Sequence, residues 1–151
     1  GNPLLNDGPN FLSGHLEVNN EFGGLALSDQ KYDGKIRAKR ISNDFEQLNT
    51  VIGIIATDAP LNRMQLKRMS IMCHGSISRS IHPSHTPMDG DTIFAISTSD
   101  KNCEVSEEIS KLDLTIIGSI ASDTFSRACN RAIFEAKNIG GKPSWKDLFE
   151  N

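Results

Sequence analysis

One stretch of the chain, residues 50–57, constrains the fold more than any other. It reads Thr-Val-Ile-Gly-Ile-Ile-Ala-Thr, an apolar and largely β-branched run with a polar residue at each end. Such runs are typical of strands whose two faces are both covered, because neither face then needs polar side chains. We therefore predict a strand here that is buried on both faces. Asp58 is predicted to cap the next element, with Pro60 in the first turn of a helix.

The pattern after this strand predicts a helix and then a second strand. One apolar stripe recurs at spacings of three and four, as on one face of a helix, at Leu66, Met69, Cys73 and Ile77. Two prolines in residues 82–88 exclude regular structure there. Residues 91–98 again have the apolar, β-branched character of a buried strand.

A long helix is predicted after an exposed loop at residues 100–111. Its apolar side is formed by Ile117, Ala121, Phe125, Ala128 and Ala132. Gly140 and Gly141 are expected to end it, and Pro143 prevents its continuation. The order strand, helix, strand, helix places the chain in the α/β or α+β class. Its length suits a single domain, residues 1–151.

The net charge argues against some classes of binding partner, and the cysteine content favours one kind of cellular compartment. The 151 residues include 16 Lys and Arg and 19 Asp and Glu, giving a net charge of −3. This balance argues against binding nucleic acid or an anionic membrane through bulk charge. The longest apolar runs, residues 51–56 and 93–96, are too short to span a membrane. Cys73, Cys103 and Cys129 are odd in number and widely spaced, which favours a reducing, cytoplasmic location without disulfides.

The pair Asn49-Thr50 at the start of the first strand has two interpretations. Thr is a common strand residue, so its presence needs no functional explanation. Alternatively, cleavage before Thr50 would place a free α-amino group beside the Thr50 hydroxyl. Such an amine has an ordinary pKa of ~7.7–8.0, so near neutral pH it can act as the general base for that hydroxyl. One residue would then supply both the nucleophile and its base.

The tripeptide Asp89-Gly90-Asp91 lies at the start of the second predicted strand. Residues two apart on a strand project to the same side, so the two carboxylates are expected to lie together. Two close carboxylates repel each other, which predicts a cation or a shared proton nearby. Gly90 permits a close approach of another segment. A capped turn or a Ca²⁺ or Mg²⁺ site is the alternative, although the further ligands of an EF-hand loop are absent from the sequence.

The histidines His74, His82 and His85 form a third group of candidates. His82 and His85 are three apart, a spacing compatible with metal ligation, but the sequence imposes no third ligand. A hydrogen-bonded structural role is the favoured interpretation of each. A metal site built on Asp89, Asp91 and His85 stays open as an alternative. No serine lies in a nucleophile-elbow motif, so the sequence does not support a Ser-His-Asp hydrolase.

Several separated segments carry motifs that occur together in one known enzyme family. They are residues 21–25, 48–61, 65–68, 79–95 and 139–144, spread over nearly all of the chain. Together they resemble the DmpA-like family of N-terminal-nucleophile hydrolases, which contains L-aminopeptidase/D-amidases, β-peptidyl aminopeptidases and nylon-oligomer hydrolases. The aminopeptidases use a Ser nucleophile. Thr50 with Asp89 and Asp91 is therefore more similar to the 6-aminohexanoate-oligomer hydrolase branch.

The resemblance implies roles for individual residues. Thr50 is similar to the family's nucleophile, and Asn49 to the residue released by autocleavage. Asp89 and Asp91 match the downstream pair, which would orient the Thr50 amine and hydroxyl. Asn2 falls where the family has an active-site Asn, whose side chain would help to stabilise the oxyanion. The family's catalytic Lys would lie further upstream, and neither a cofactor nor a metal is implied.

The resemblance also implies an architecture and partners. The family fold is an αββα sandwich, of which this chain would supply a part. Residues 1–49 resemble the end of an α-subunit, and residues 50–151 resemble a β-subunit. The family precursor has a much longer region before its nucleophile, so the chain resembles the C-terminal portion. The expected partner is the rest of the precursor, in a homo-oligomer of α/β heterodimers, and unpaired sheet edges would need that cover.

The combined prediction is an autoprocessing amidohydrolase or peptidase that uses an N-terminal Thr. Its expected substrates are small amides, peptides or short oligomers, and the Thr-type site favours aminohexanoate-like amides by analogy alone. Two alternatives stay open. The chain would be a non-catalytic fragment or interaction domain that lacks the upstream Lys, or a metal-binding α/β domain.

Overall fold

The fold is built on a two-stranded parallel sheet, seen in a computed structural model that describes residues 1–25, 28–36, 50–99 and 109–150. Strand β1 is Ile52–Thr57 and strand β2 is Thr92–Ser97. The two strands pair in register, with Ile52 opposite Thr92. Parallel neighbours cannot be joined by a tight turn, so the chain between them forms a longer crossover.

Helices form the rest of the regular structure. Helix α1, Arg63–Ser80, is the crossover, and it packs against helix α2, Lys111–Phe134. A short helix α3, Trp145–Phe149, follows, and two single 3-10 turns, Leu5–Asp7 and Gly14–Leu16, lie in the N-terminal segment. The α/β class and the order strand, helix, strand, helix are confirmed, whereas the sequence pattern did not indicate α3.

The start of α1 is set by a capping box. The Asn62 side chain accepts a hydrogen bond from the Gln65 N–H at 3.0 Å, and the Gln65 side chain accepts one from the Asn62 N–H at 2.9 Å. These reciprocal bonds satisfy N–H groups that have no partner within the helix. Helix α1 therefore begins at Arg63, and the prediction that Asp58 caps it with Pro60 in its first turn is wrong.

The end of α2 also differs from the prediction. The helix ends at Phe134, well before the two glycines that were expected to stop it. Gly140 and Gly141 instead have φ values of 59° and 74° and form a turn that pairs Ile139 with Lys142. Glycine suits this turn because a left-handed backbone carries a steric cost for residues with a Cβ atom.

Only one face of the sheet is covered within the described ranges. The covered face contributes to a core formed by Ile55, Leu61, Met69, Cys73, Ile77, Ile93, Ala121 and Phe125. On the other face, Ile52 is 71% exposed and Ile54 is 66% exposed, and Phe94 and Ile96 lie beside them. The prediction of burial on both faces is wrong for this structure, because no second layer of the described chain lies on the outer face.

The apolar stripe predicted for α2 holds in its first half only. Ala121 and Phe125 are buried, and Ile117 packs against them as a half-buried neighbour. Ala128 and Ala132 are exposed instead of buried. The buried face continues through other residues, namely Ser126, Asn130 and Phe134. Helix α2 therefore turns a polar, small-residue face toward its neighbours.

Buried hydroxyl groups join the two long helices. The Ser76 hydroxyl of α1 donates to the Ser122 carbonyl of α2 at 2.6 Å. Further along, the Ser80 and Ser13 hydroxyls lie 3.0 Å apart, and Ser13 donates to the Asn130 side chain at 3.0 Å. Small side chains allow the helices to approach closely, and most of these buried polar atoms have a partner, as burial requires.

A second, aromatic cluster attaches the N-terminal segment to the C-terminal part of the chain. Phe11 and Phe22 pack with Phe134 and Trp145. The Phe11 and Trp145 rings are stacked, with centroids 5.8 Å apart. Large buried rings dominate packing energy in a small cluster. The part of the N-terminal segment that contains Phe11 and Phe22 is therefore held against the end of α2 by a cluster separate from the main core.

Two cysteines, Cys73 and Cys129, are free thiols, and Cys103 lies outside the described residues. The same holds for residues 100–108, most of the predicted exposed loop. In the segments that the structure describes, no helix is both long and apolar enough to cross a membrane. The cytoplasmic location stays a prediction.

Candidate active site

A cavity of about 560 Å³ opens beside strand β1. Three of the predicted site residues, Thr50, Asp89 and Asp91, line it. Much of the remaining wall is apolar and includes Val51, Ile52, Ile54, Ile81, Pro83, Ala128, Ala132 and Ile133. The structure therefore brings the candidate nucleophile and both candidate carboxylates to one cavity with apolar walls.

The parallel sheet explains why these residues meet. Residues that precede two parallel strands lie at the same end of the sheet. Thr50 precedes β1, and Asp89 and Asp91 precede β2. Because Ile52 is opposite Thr92, the residues just before β1 lie directly beside the residues just before β2.

The Asp91 side chain makes the main polar contact between the segment that precedes β1 and the segment that precedes β2. Its Oδ1 atom accepts a hydrogen bond from the Val51 backbone N–H at 3.0 Å. Its Oδ2 atom lies 3.3 Å from the Nδ1 atom of His85. The Asp91 side chain is only 5% exposed, so these contacts replace most of its hydration. The carboxylate therefore fixes the peptide that follows Thr50.

Asp89 is oriented differently from Asp91. Its Oδ2 atom accepts a hydrogen bond from the Thr86 N–H at 2.8 Å, and this bond is the main reason that the pKa of Asp89 lies below its ordinary value. Both aspartates precede β2, which begins at Thr92. The strand-spacing argument for a shared side therefore does not apply, although both side chains reach the same cavity.

Gly90 lies against Thr50, as the sequence predicted for a close approach. A Cβ atom added at Gly90 would lie 3.3 Å from the Thr50 Oγ1 atom and 3.6 Å from its Cγ2 atom. The first distance is tighter than ordinary van der Waals contact. The absence of a side chain at Gly90 therefore leaves room for the Thr50 hydroxyl beside the two aspartates.

The predicted scissile bond is described on one side only. Thr50 is exposed at the cavity, whereas Asn49 lies outside the described residues. Cleavage between them stays a prediction.

Asn2 lies near the cavity, but its side chain is engaged elsewhere. Its Nδ2 atom donates to Asp7 at 2.7 Å, and its Oδ1 atom accepts from the Leu4 N–H at 3.0 Å. Its flanking residues Gly1 and Pro3 line the cavity. The structure thus brings the backbone beside Asn2 to the site, and the predicted oxyanion role of the Asn2 side chain stays a prediction.

His85 is the histidine that joins the site. Its Nε2 atom lies 3.2 Å from the His74 carbonyl oxygen, and its Nδ1 atom faces Asp91. This supports the structural, hydrogen-bonded interpretation of His85. Among the residues with described positions, no three His, Cys, Asp or Glu side chains are grouped to hold a metal ion, so the metal-site alternative has no support.

Sequence reasoning missed the contribution of α2 to the cavity. Ala128 and Ala132 were expected in the core, but they line the cavity together with Cys129 and Ile133. Burial raises the pKa of the Cys129 thiol to about 11, with the negative charge of Asp91 adding to the effect, so the thiol is neutral.

A comparison with known protein families identifies the family of this chain. The model of peptidase family S58 matches residues 8–145, which is most of the chain. The chain belongs to peptidase family S58. The resemblance to the DmpA-like hydrolases is thereby confirmed, and Thr50, Asp89 and Asp91 lie within the matched range. No solved structure matches this S58 chain.

Curated relatives of the S58 chain include aminopeptidases and oligomer hydrolases. One is an uncharacterized aminopeptidase of Mycobacterium tuberculosis, 36% identical over 107 residues, or 67% of this chain and 31% of the relative. Another is a 6-aminohexanoate-oligomer endohydrolase of an Agromyces species, 32% identical over 90 residues, or 57% of this chain and 25% of the relative. The chain therefore spans about a third of the length of the first of these relatives.

Proposed function

We propose that this S58 chain carries the nucleophile of an amide-bond hydrolase, a peptidase or amidase. Thr50 is the nucleophile, and it becomes N-terminal when the bond between Asn49 and Thr50 is cleaved. The observation that carries the proposal is that the Thr50 hydroxyl lies against Gly90, in the same cavity that Asp89 and Asp91 line at one end of the sheet.

In the autocleavage step, the Thr50 Oγ atom attacks the Asn49 carbonyl carbon. The peptide C–N bond breaks as the C–O bond forms, which leaves an ester and gives Thr50 a free amine. Water then hydrolyses the ester and releases the Asn49 carboxylate. The Asp91 contact with the Val51 N–H supports this step, because it holds the backbone immediately after the attacking residue.

In turnover, the new Thr50 amine accepts the proton of its own hydroxyl while Oγ attacks the substrate amide. The proton passes to the leaving amine, and the acyl group remains on Oγ as an ester. Water then resolves this acyl-enzyme. The carboxylates of Asp89 and Asp91 stabilise the charged form of the Thr50 amine by proximity.

Part of the proposed enzyme lies beyond this chain. The exposed outer face of the sheet, defined by Ile52, Ile54, Phe94 and Ile96, is apolar. Exposed apolar faces of this kind mark contact surfaces. Since the chain spans 31% of the mycobacterial relative, we assign this face to the upstream α-subunit-like region, which would also supply the catalytic Lys. The assembly would be a homo-oligomer of α/β heterodimers.

The cavity favours small, uncharged substrate groups. Its walls are predominantly apolar, and the small side chains of Ala128 and Ala132 leave space beside β1. Apolar walls with a few polar groups are typical of sites that bind small organic molecules. An aminohexanoate-like chain or a short aminoacyl amide fits this description. The names of the two relatives, an aminopeptidase and an oligomer endohydrolase, support both classes.

The deciding experiment is an intact mass measurement on purified protein with Thr50→Ala and Thr50→Ser variants. We expect fragments 1–49 and 50–151 from the wild type, the same fragments more slowly from Thr50→Ser, and none from Thr50→Ala. Hydrolysis of a 6-aminohexanoate oligomer and of aminoacyl anilides would then assign the substrate class.

An uncut species in all three samples, both for this chain alone and with the upstream region restored, would contradict the proposal. The alternative of a non-catalytic interaction domain with the same fold would then account for the protein. Fragments that also form from Thr50→Ala would indicate cleavage by a contaminating protease.

A further inference from the structure

His85 lies between two hydrogen-bond acceptors. Its Nδ1 atom is 3.3 Å from the Asp91 Oδ2 atom, and its Nε2 atom is 3.2 Å from the His74 carbonyl oxygen. A carbonyl oxygen can only accept, and an ionised carboxylate can only accept. A neutral imidazole carries one N–H and can serve one of these partners. The imidazolium carries two and can serve both.

Titratable groups from three elements lie around His85. Asp91 and Asp89 face it from its own loop, and it adds to the effects that lower the pKa of Asp89, after the dominant Thr86 hydrogen bond. The ring of His74 on α1 lies 5.2 Å away, and Cys129 on α2 is near Asp91. A cation between two carboxylates offsets their mutual repulsion.

We propose that His85, as an imidazolium, is a positioning residue of the Thr50 site, holding the Asp91 carboxylate against the Val51 N–H. The inference rests on the proposed function, since the positioned backbone matters for catalysis only if Thr50 reacts. His85 acts through Asp91, whose other carboxylate oxygen accepts the hydrogen bond from Val51, the residue just before β1.

The backbone conformation of His85 determines which substitutions remove its imidazole without adding strain. Its φ is 53°, in the left-handed region that Asn and Gly tolerate better than most residues. His85→Asn and His85→Gly therefore remove the imidazole with little added backbone strain. His15→Asn, the same change at an exposed histidine, is the matched control.

The first test is independent of activity. The ¹⁵N chemical shifts of the His85 ring, measured in the wild-type chain under assay conditions, report how many ring nitrogens carry a proton. We expect two protonated nitrogens, and an Asp91→Asn variant should shift the Nδ1 signal. A neutral ring with a single N–H would overturn the proposal.

The second test measures the Thr50-dependent rate. We expect His85→Asn to lower kcat on the order of 10- to 100-fold, with KM little changed, because the reacting backbone is misplaced. Added imidazole should restore part of the rate of His85→Gly, since it can occupy the vacated space. An unchanged rate in His85→Asn, or no rescue of a folded His85→Gly protein, would overturn the positioning role.

The two proposals fail in different ways. If the wild type and Thr50→Ala are equally inactive, the hydrolase proposal fails and the catalytic role of His85 falls with it. If the wild type is active and His85→Asn matches His15→Asn, only the His85 proposal fails.

Discussion

The Asp91 carboxylate accepts a hydrogen bond from the Val51 backbone N–H at 3.0 Å. Val51 lies just before strand β1 and Asp91 just before strand β2, so the bond joins the starts of two parallel strands. The bond connects the acidic segment 89–91 to the residue that follows Thr50. It is largely shielded from solvent, since the Asp91 side chain is almost fully buried. The two functional segments therefore have a fixed relative position.

Asp91→Asn should separate positioning from folding. Asn keeps an oxygen that can accept from Val51 but loses the charge that faces His85, so we expect Thr50-dependent cleavage to slow by on the order of 100-fold. The free energy of unfolding should fall by only ~1–3 kcal/mol. A time course of intact masses and a urea titration measure the two effects.

The control is Asp123→Asn, which removes an exposed partner of Arg79 at 3.0 Å. Exposed pairs contribute ~0–1 kcal/mol, so both readouts should stay near wild type. Equal effects of the two variants on cleavage would contradict a specific role for Asp91.

Gly90→Ala should impair the site while leaving the fold intact. The new Cβ atom would press on the Thr50 hydroxyl at 3.3 Å, so the hydroxyl must move by a few tenths of an ångström. We expect slower cleavage at Asn49-Thr50, measured by mass spectrometry, with little change in thermal stability. Gly14→Ala, where an added Cβ atom meets no atom within 4 Å, is the control and should cleave at the wild-type rate. Unaltered cleavage in Gly90→Ala would show that Thr50 need not lie where the structure has it.

Glu21 should make stability depend on pH. Arg127 donates to both carboxylate oxygens of Glu21, and these hydrogen bonds are the main cause of its lowered pKa. The stabilisation is therefore present above the ordinary Glu pKa of ~4.3 and is lost as the pH falls through the lower folded value. We expect Glu21→Gln to destabilise the protein by ~1–3 kcal/mol at neutral pH and by progressively less in acid.

Urea titrations of wild type and Glu21→Gln at several pH values measure this difference. Glu135→Gln is the control, because its pair with Lys146 at 3.7 Å is exposed and should contribute little at any pH. A Glu21→Gln difference that is the same in acid and at neutral pH would mean that packing, not charge, causes it.

Gly53→Ala and Gly118→Ala should differ in their effect on stability. A Cβ atom at Gly53 would overlap the ring of Phe125, which is buried in the core, so we expect a loss of ~1–3 kcal/mol. At Gly118 the overlap is with the flexible end of Met72, which can move, and Ala favours a helix by ~1 kcal/mol over Gly. Thermal melts compare the two, and equal destabilisation would contradict this reading of the core.

Local sequence patterns predicted the type of element correctly where apolar residues recur at the spacing of a strand or a helix. The β-branched run at residues 50–57 and the helical stripe from Leu66 to Ile77 gave the right elements, because periodicity reflects which side faces the core. Helix ends were less predictable. Asp58 and Asn62 are both good capping residues, and only the reciprocal bond with Gln65 selects Asn62.

The candidate site was predicted in part. Thr50 and the two aspartates were identified from their chemistry and their resemblance to a family, and the expectation of a nearby cation followed from two like charges. The contact between Asp91 and His85 did not follow from the sequence, because His85 reaches Asp91 through a loop whose path no periodicity describes. Likewise, Ala128 and Ala132 line the cavity because α2 turns its serine face toward α1.

The sequence by itself determined the α/β class, the order of the elements and the residue types available for amide chemistry, since these depend on local periodicity and on functional groups. Only the tertiary structure decided that the sheet is covered on one face, that Asp91 binds Val51, and that His85 stands between Asp91 and the His74 carbonyl. The contact between Asp91 and Val51 joins residues 40 positions apart and depends on the parallel pairing of β1 and β2. The contacts of His85 are closer in the chain but run through an irregular loop, and no local pattern specifies which partner a side chain meets there.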